Sequence, residues 1–422
     1  MSTLSEFGNS FAYNFSHNLF KPLLLFFYAG FLIPIFKIKF EFPTALYQTL
    51  TLYLLLAIGW HGGEELAVLP HAQLNQVWGL MVLGFFTNLV VGIIAYNTLR
   101  WFTPLRRVDA ATVGAYYGSD SAGTFVTAVG VLTTANIAFA PYMPVMLAVM
   151  ELPGCLVGLY LANALRRSGM DAQGNMPGEP GYTVPASVPV AEEAGSVLEP
   201  VLQLDTAGAS YASYSALDVV EQSIQQQSTI ARRNLRSVVF SLKDRVRFDP
   251  HMLHEVFFNP GIYLLFAGIF IGFVSRLQGP QVVMADDAVL VALFQGALCF
   301  FLLEMGITAS RKLKDLKTTG WPFIAFALTG PIVFASAGMS VLHLYSHLRH
   351  LPLDLGTYAL FGALSGSASY IAMPAVQRLA IPEASPTLPL AASLGLTFTF
   401  NVTIGISLYI EIARQLVRAF PL

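Results

Sequence analysis

The sequence predicts an all-α membrane protein of about ten transmembrane helices, in two inverted five-helix repeats with broken helices at the membrane midplane. Three observations lead there. The 422 residues are 55% hydrophobic and only 11% charged, with a mean hydropathy of +0.60, outside the range of soluble globular chains. Apolar runs recur at the roughly 20-residue helical length that crosses a hydrocarbon core about 30 Å thick. One interrupted-helix pattern is spelled twice, as Gly114-Ala115-x-x-Gly118-Ser119-Asp120-Ser121 and as Gly362-Ala363-x-x-Gly366-Ser367-Ala368-Ser369. Each copy lies inside a bilayer-length apolar region, where irregular backbone survives only if it is buried in protein or lines a cavity.

The elements follow in chain order. Residues 1–20 form an external N-terminal segment, in which Phe7, Phe11, Phe15 and Leu19 recur every fourth residue as in an interfacial helix. Residues 21–167 form the first transmembrane repeat, with spans at about 22–36, 43–60, 77–101, 110–132 and 141–165. The first span is retained rather than cleaved, because its apolar run ends at Lys37 without a small-residue cleavage site. Residues 168–254, rich in Pro, Gly, Gln and Ser, contain no bilayer-length apolar run and read as a partly disordered solvent-side insert. Its end, 231–248, spaces Leu235, Val238, Val239, Leu242 and Val246 helically between basic residues, which suits a helix lying on a lipid surface. Residues 255–422 form the second repeat, with spans at about 259–276, 288–308, 321–344, 355–379 and 387–413.

Lys and Arg placement fixes the orientation. With the N-terminus on one side, the opposite side receives Lys37, Lys39, Arg106, Arg107, Arg166, Arg167, the basic insert, Arg311, Lys312, Lys314, Lys317 and Arg378. The N-terminal side keeps mainly Lys21, Arg276, Arg349, Arg414 and Arg418. The basic side is cytoplasmic, so a multi-pass protein of the cytoplasmic (inner) membrane is expected, with both termini outside and the insert inside.

The halves match beyond the Gly-Ser pattern. Ala29-Gly30 answers Ala267-Gly268, Ile58-Gly59 answers Met305-Gly306, Trp78 answers Trp321, and Leu159-Tyr160 answers Leu408-Tyr409. A repeat with an odd number of spans ends on the side opposite its start, so the second copy enters the membrane inverted, which is a transporter architecture.

A helix broken at mid-membrane exposes N–H groups that attract anions at one half and C=O groups that attract cations at the other. Small residues admit close backbone approach, and hydroxyls add neutral ligands without burying a permanent charge. The plain alternative for Gly118, Ser119, Ser121, Gly366, Ser367 and Ser369 is close helix packing. Recurrence in both halves favours a binding site formed where the two breaks face each other. Asp120 is the sharpest single candidate, since a carboxylate inside a span marks an ion or proton path, its alternative being a cap on the following half-helix. Glu304 is a weaker candidate of the same kind. Glu64 and Glu65 read as solvated residues at an external span end. His343, His347 and His350 lack an accompanying Cys or carboxylate at metal-ligand spacing and read as a wet membrane interface. Cys155 and Cys299 fall within spans and read as small core residues without a disulfide framework.

On these residues the chain resembles the sodium-dependent bicarbonate transporters of the SbtA-like superfamily. The resemblance rests, in the first half, on 117–125 (Tyr117-Gly118-Ser119-Asp120-Ser121-Ala122-Gly123-Thr124-Phe125) and on Met150-Glu151-Leu152-Pro153-Gly154. In the second half it rests on Ser367-Ala368-Ser369-Tyr370-Ile371-Ala372, on 378–386 and on 394–401. It covers both membrane halves and not the insert. It implies ten spans in two inverted repeats, commonly a homotrimer, and sodium-coupled inward transport of bicarbonate or a similar small anion, inhibited in some members by a PII-like signalling protein from the cytoplasm. One departure stands out. The better-known members carry an acidic residue just after the second serine cluster, where this chain has Tyr370, and the acid here is Asp120. Either Asp120 supplies the sodium-site charge from the opposite half, or substrate or coupling ion has changed.

The expected mechanism holds bicarbonate among the backbone N–H groups and hydroxyls around Gly118, Ser119, Ser121, Thr124, Gly366, Ser367 and Ser369. Sodium sits at Asp120 with Ser119, Ser367 and Ser369. Beyond that sodium no metal, no other cofactor, no catalytic residue and no nucleic-acid partner is expected, while membrane lipid surrounds the spans. The alternatives are a sodium- or proton-coupled symporter of another small anion such as a short carboxylate, and an anion channel, which needs a continuous polar lining. An enzyme would need a nucleophile with its base or a metal set, and neither accompanies Asp120 in the sequence.

Overall fold

The computed structural model describes residues 21–68, 71–183, 260–313 and 320–421. Every described residue belongs to one compact unit. The aromatic stripe of 1–20 and the basic stretch 231–248 lie outside the described residues. Among the described residues all regular structure is helical: α1 (Pro22–Ile35), α2 (Thr44–Ala67), α3 (His71–Phe102), α4 (Arg107–Tyr117), α5 (Ala122–Thr134), α6 (Met143–Arg167), α7 (Pro260–Gln278), α8 (Pro280–Leu290), α9 (Phe294–Lys312), α10 (Trp321–Arg349), α11 (Leu355–Ser365), α12 (Ala372–Ala380) and α13 (Leu388–Ala419). Five described stretches are long and apolar enough to cross a bilayer: Val77–Phe102, Met143–Arg167, Asp286–Lys312, Trp321–Arg349 and Leu388–Ala419. Pro22–Ile35, Tyr263–Gln278 and Leu355–Ser365 are shorter apolar helices.

Both expected breaks are present. The 110–132 run is two helices, α4 and α5, separated at 118–121, and the 355–379 run is α11 and α12, separated at 366–371. Several boundaries differ from the sequence reading, two of them most. Helix α2 does not stop at Trp60 but continues to Ala67, and it carries Glu64 into a buried position near Asp287 while Glu65 stays exposed. Glu64 is therefore not the solvated residue expected. Gly62 and Gly63 do not end the helix because they are where neighbouring chain packs on it; a Cβ on Gly63 would stand 2.1 Å from the Ile269 carbonyl oxygen of α7. The span expected at 288–308 begins instead with α8, which opens on Pro280 and closes where Val291 and Ala292 both donate to the Asp287 carbonyl.

Packing pairs the helices across the two halves, α1 lying along α9 and α2 along α7. Their contact points are the small residues that repeat in the sequence. A Cβ on Gly59 would meet the Cα of Gly268 at 3.0 Å, and one on Gly306 would meet the Phe27 carbonyl oxygen at 2.1 Å. Close backbone approach of this kind is how helices associate in lipid, where apolar burial offers little net drive between them. Helix α3 packs on α4 and α6, and α10 packs on α11 and α13. Trp78 and Trp321, matched in the sequence, are both exposed, whereas Tyr160 is exposed and its counterpart Tyr409 is fully buried.

One end of the molecule is tied between the halves by an ion pair and hydrogen bonds. Arg166 at the end of α6 donates to both Glu383 carboxylate oxygens, at 2.9 and 2.8 Å, and to the Ala380 carbonyl. Burial works to raise the Glu383 pKa, but the Arg166 guanidinium outweighs it and holds the carboxyl below the usual range. Asp109 at the start of α4 accepts from Arg106 and from the backbone N–H of Ser385 at 2.7 Å. In the turns after α6, burial again opposes ionisation of Asp171, but the N–H groups of Thr183, Asn175 and Gln173 hold its carboxyl down to about 2.

Candidate functional site

The two breaks meet and are hydrogen-bonded to each other. The backbone N–H of Ser369 donates to the carbonyls of Tyr116 at 2.8 Å and Ser119 at 3.0 Å, and the N–H of Ser121 donates to Ser367 Oγ at 3.0 Å. A helix leaves its first four N–H and last four C=O groups without intrahelical partners. Here each break serves some of the other's, with the C-terminal ends of α4 and α11 and the N-terminal ends of α5 and α12 converging. Ser121 has extended geometry (φ −125°, ψ 111°) and caps α5 by accepting from the Thr124 N–H at 3.2 Å. Ser369 acts alike on α12, accepting from the Met373 N–H at 3.3 Å. Helix termini of both polarities at one point offer partial positive charge to an anion and partial negative charge to a cation.

Asp120 lies at this crossing and is fully buried. Since Ser121 performs the capping, Asp120 is free of that duty, and neither of its carboxylate oxygens has a hydrogen-bond partner. Burying an ionised carboxylate without a partner costs several kcal/mol. Glu151 of α6 is also buried and close enough to interact electrostatically with Asp120. Ser119 Oγ and the Oδ1 of Asn88 on α3 are buried and unpartnered too, while Asn88 Nδ2 donates to the Met150 carbonyl one residue before Glu151.

All the residues expected at the site are buried: Gly118, Ser119, Asp120, Ser121 and Thr124 on one break, Gly366, Ser367 and Ser369 on the other. They differ in what they have left to offer. Thr124 Oγ1 and Ser121 Oγ bond to each other at 3.1 Å, and Ser367 Oγ donates to the Leu364 carbonyl at 3.0 Å. Only Ser119 among the five hydroxyls has no hydrogen bond. Tyr370 is buried with its hydroxyl pointing at the first turn of α5; it reaches toward Ser121 without completing a hydrogen bond, and a Cβ on Gly123 would stand 1.7 Å from it. A cavity of about 10 Å³ adjoins that turn, lined by Thr51, Leu54, Leu55, Ala122, Gly123, Val126, Phe301 and Ile371. It is the size of about one water. Glu304, the weaker carboxylate candidate, lies elsewhere on α9 and accepts from Thr308 Oγ1 at 2.7 Å.

Helix α13 completes the surroundings and was not expected to. Residues Ala391–Phe398 and Asn401–Gly405 are wound as wide π turns, a form that concentrates at functional sites. They bring Asn401 Nδ2 to the Gly366 carbonyl at 3.0 Å, with Asn401 Oδ1 held by the Tyr409 hydroxyl at 2.6 Å, and they bring Thr397 Oγ1 to the Tyr117 hydroxyl at 2.5 Å. The available signal was the set of polar residues, Ser393, Thr397 and Asn401, inside an apolar span.

No curated protein matches the chain at a meaningful level. A family model does, over residues 22–414, which takes in both broken helices, Asp120, Glu151 and the polar stretch of α13. With that coverage, the chain belongs to the Na+-dependent bicarbonate transporter superfamily.

Proposed function

We propose that this membrane transporter carries bicarbonate inward by sodium symport, with alternating access to a site at the crossing of its two broken helices. The observation that carries the reading is Asp120, a buried carboxylate with two unpartnered oxygens set among four converging helix ends. A cation beside it supplies the missing partner and offsets the charge of an anion held on the N-terminal ends of α5 and α12. Sodium is bound by Asp120, with Ser119, Ser367 and Ser369 close by, and bicarbonate by the N–H groups and hydroxyls of 118–124 and 366–369. The ion gradient drives uptake because both ligands must bind before access switches.

The inverted repeat is part of the same proposal, and the helix pairing supports it. Under the sequence correspondence Gly30 maps to Gly268 and Gly59 to Gly306, so the Gly59–Gly268 contact between α2 and α7 maps onto the contact of Gly306 on α9 with α1. We further propose both termini outside in an inner membrane, a homotrimeric assembly, and a PII-like protein acting at the cytoplasmic insert.

A second reading keeps the carrier and changes the coupling ion. The proximity of Glu151 to Asp120 favours it, since two neighbouring buried carboxyls readily share one proton. Labelled bicarbonate uptake into proteoliposomes, with an inward sodium gradient or an inward proton gradient, separates the two readings. Sodium-driven uptake that is lost in Asp120→Asn, with a monodisperse variant protein, is the expected result. Proton-driven uptake without sodium would transfer coupling to the carboxyl pair, and full sodium-driven uptake in Asp120→Asn would sink the role of that carboxylate.

A further inference from the structure

Away from the crossing, three lone-pair atoms converge at the far end of α10. His343 Nε2 lies 2.9 Å from the Phe420 carbonyl oxygen, His347 Nε2 lies 3.0 Å from the same oxygen, and the two nitrogens are 3.1 Å apart. His343 and His347 sit one turn apart on α10, and Phe420 directly follows α13. His343 is buried at 6% exposure and His347 is partly exposed.

Hydrogen bonds fill this triangle in one way, with both Nε2–H groups crowded onto the single carbonyl oxygen. The carbonyl only accepts, and each neutral imidazole nitrogen either donates or accepts. If both nitrogens carry hydrogens, they satisfy the carbonyl but oppose each other across 3.1 Å. If one carries a hydrogen, the bare nitrogen faces the carbonyl oxygen with lone pair against lone pair at 2.9 or 3.0 Å. Hydrogen bonding alone therefore leaves two donors crowded 3.1 Å apart on one acceptor.

We infer that this triangle is a site for a divalent transition metal ion, taken by the two imidazoles and the main-chain oxygen as three lone-pair donors. An ion about 2.0–2.1 Å from each donor sits about 1 Å out of their plane, and ligands around a tetrahedral ion at that distance are about 3.4 Å apart, close to the separations here. Histidines four apart on a helix are a familiar chelating pair. The second ring nitrogen is provided for: His343 Nδ1 lies 3.0 Å from the Tyr358 hydroxyl, an outer partner of the kind that fixes a ligating tautomer. Among the described residues no three His, Cys, Asp or Glu side chains converge on a metal position, so the third donor is the carbonyl and water fills the remainder. Imidazole donors select zinc, copper or nickel over magnesium or calcium. A bound ion ties the end of α13 to α10 and replaces the wet-interface reading of His343 and His347; His350, exposed and left-handed at φ 49°, takes no part.

The test uses full-length protein in detergent, freed of tag histidines and stripped with chelator, then titrated with Zn2+ by calorimetry and by melting temperature. The expected result is one Zn2+ per chain, a melting temperature raised by the ion, and both lost or weakened at least about tenfold in His347→Gln but kept in His350→Gln. His347 is the partly exposed member of the pair, so its variant reports on binding without opening the buried core. Tyr358→Phe serves as a second variant, with binding weakened by loss of the outer partner. Absence of stoichiometric Zn2+ on the native protein, or equal binding in His347→Gln, would overturn the site.

Discussion

At the scale of single residues, the sharpest constraint beside the crossing is the contact between Gly123 and Tyr370. A Cβ at position 123 would lie 1.7 Å from the Tyr370 hydroxyl oxygen, 3.0 Å from its Cζ and 3.2 Å from Phe301 Cε1. Gly123→Ala should therefore destabilise the protein by about 1–3 kcal/mol, as overpacking in a filled core does. Tyr370→Phe removes the nearest atom, so the double variant should recover on the order of 1 kcal/mol beyond additivity in a denaturation cycle in detergent. Additivity within about 0.5 kcal/mol would show that Tyr370 is not what the glycine accommodates. Asp120 was legible from its place in an apolar span, and so was the partnership of the two Gly-Ser segments. What was not legible is who caps α5: Ser121 and Asp120 are both good caps by type, and only the backbone angles decide between them. Glu151 was legible only as part of a resembling segment and Asn88 not at all, since nothing in local spacing says which faces of α3 and α6 turn toward the break. The histidine pair was visible as a spacing, but its third donor is a carbonyl 73 residues from His347, which no side-chain pattern records.

At the scale of elements, the helix pairs α1–α9 and α2–α7 stand on backbone contact at small residues. A Cβ on Gly306 would press on the Phe27 carbonyl oxygen at 2.1 Å and the Phe31 nitrogen at 2.7 Å, main-chain atoms that cannot rotate away, whereas one on Gly296 of the same helix meets nothing within 4 Å. Gly306→Ala should lower the melting temperature, by roughly 1–3 kcal/mol of stability. Gly296→Ala should be neutral or gain up to about 1 kcal/mol from helix propensity. Equal behaviour of the two would mean that α1 does not lie against α9 as described. The described helices were largely readable as apolar runs, and both breaks were readable as glycine and serine inside them. The errors at Trp60 and Ala288 share a cause. A glycine pair or an acidic pair looks like an ending when read locally, yet Gly62 and Gly63 continue α2 because α6 and α7 fill the space beside them, and Asp287 sits inside α8.

At the scale of the whole membrane unit, the contacts sort the helices into two packing groups. Helices α1, α2, α7 and α9 pair chiefly with one another, α9 also packing on the first half of α13, while α3 to α6 and α10 to α13 gather around the crossing. The grouping was not legible in the sequence, since it depends on which pairs of distant helices share a face. The cavity of about 10 Å³ lies on the boundary, with Thr51, Leu54, Leu55 and Phe301 on one side and Ala122, Gly123, Val126 and Ile371 on the other. If transport moves one group against the other, a bond across that boundary stops it and a bond within a group does not. In a background with Cys155 and Cys299 replaced, paired cysteines at Thr51 and Val126, joined by a short reducible thiol cross-linker, should abolish sodium-driven uptake, and reductant should restore it. The matching control joins Phe26 on α1 to Phe300 on α9, whose ring centroids are 6.1 Å apart within one group, and uptake should survive that cross-link. Survival of uptake with the Thr51–Val126 bond verified by mass spectrometry would rule out relative motion at this boundary and move the gate elsewhere in the unit.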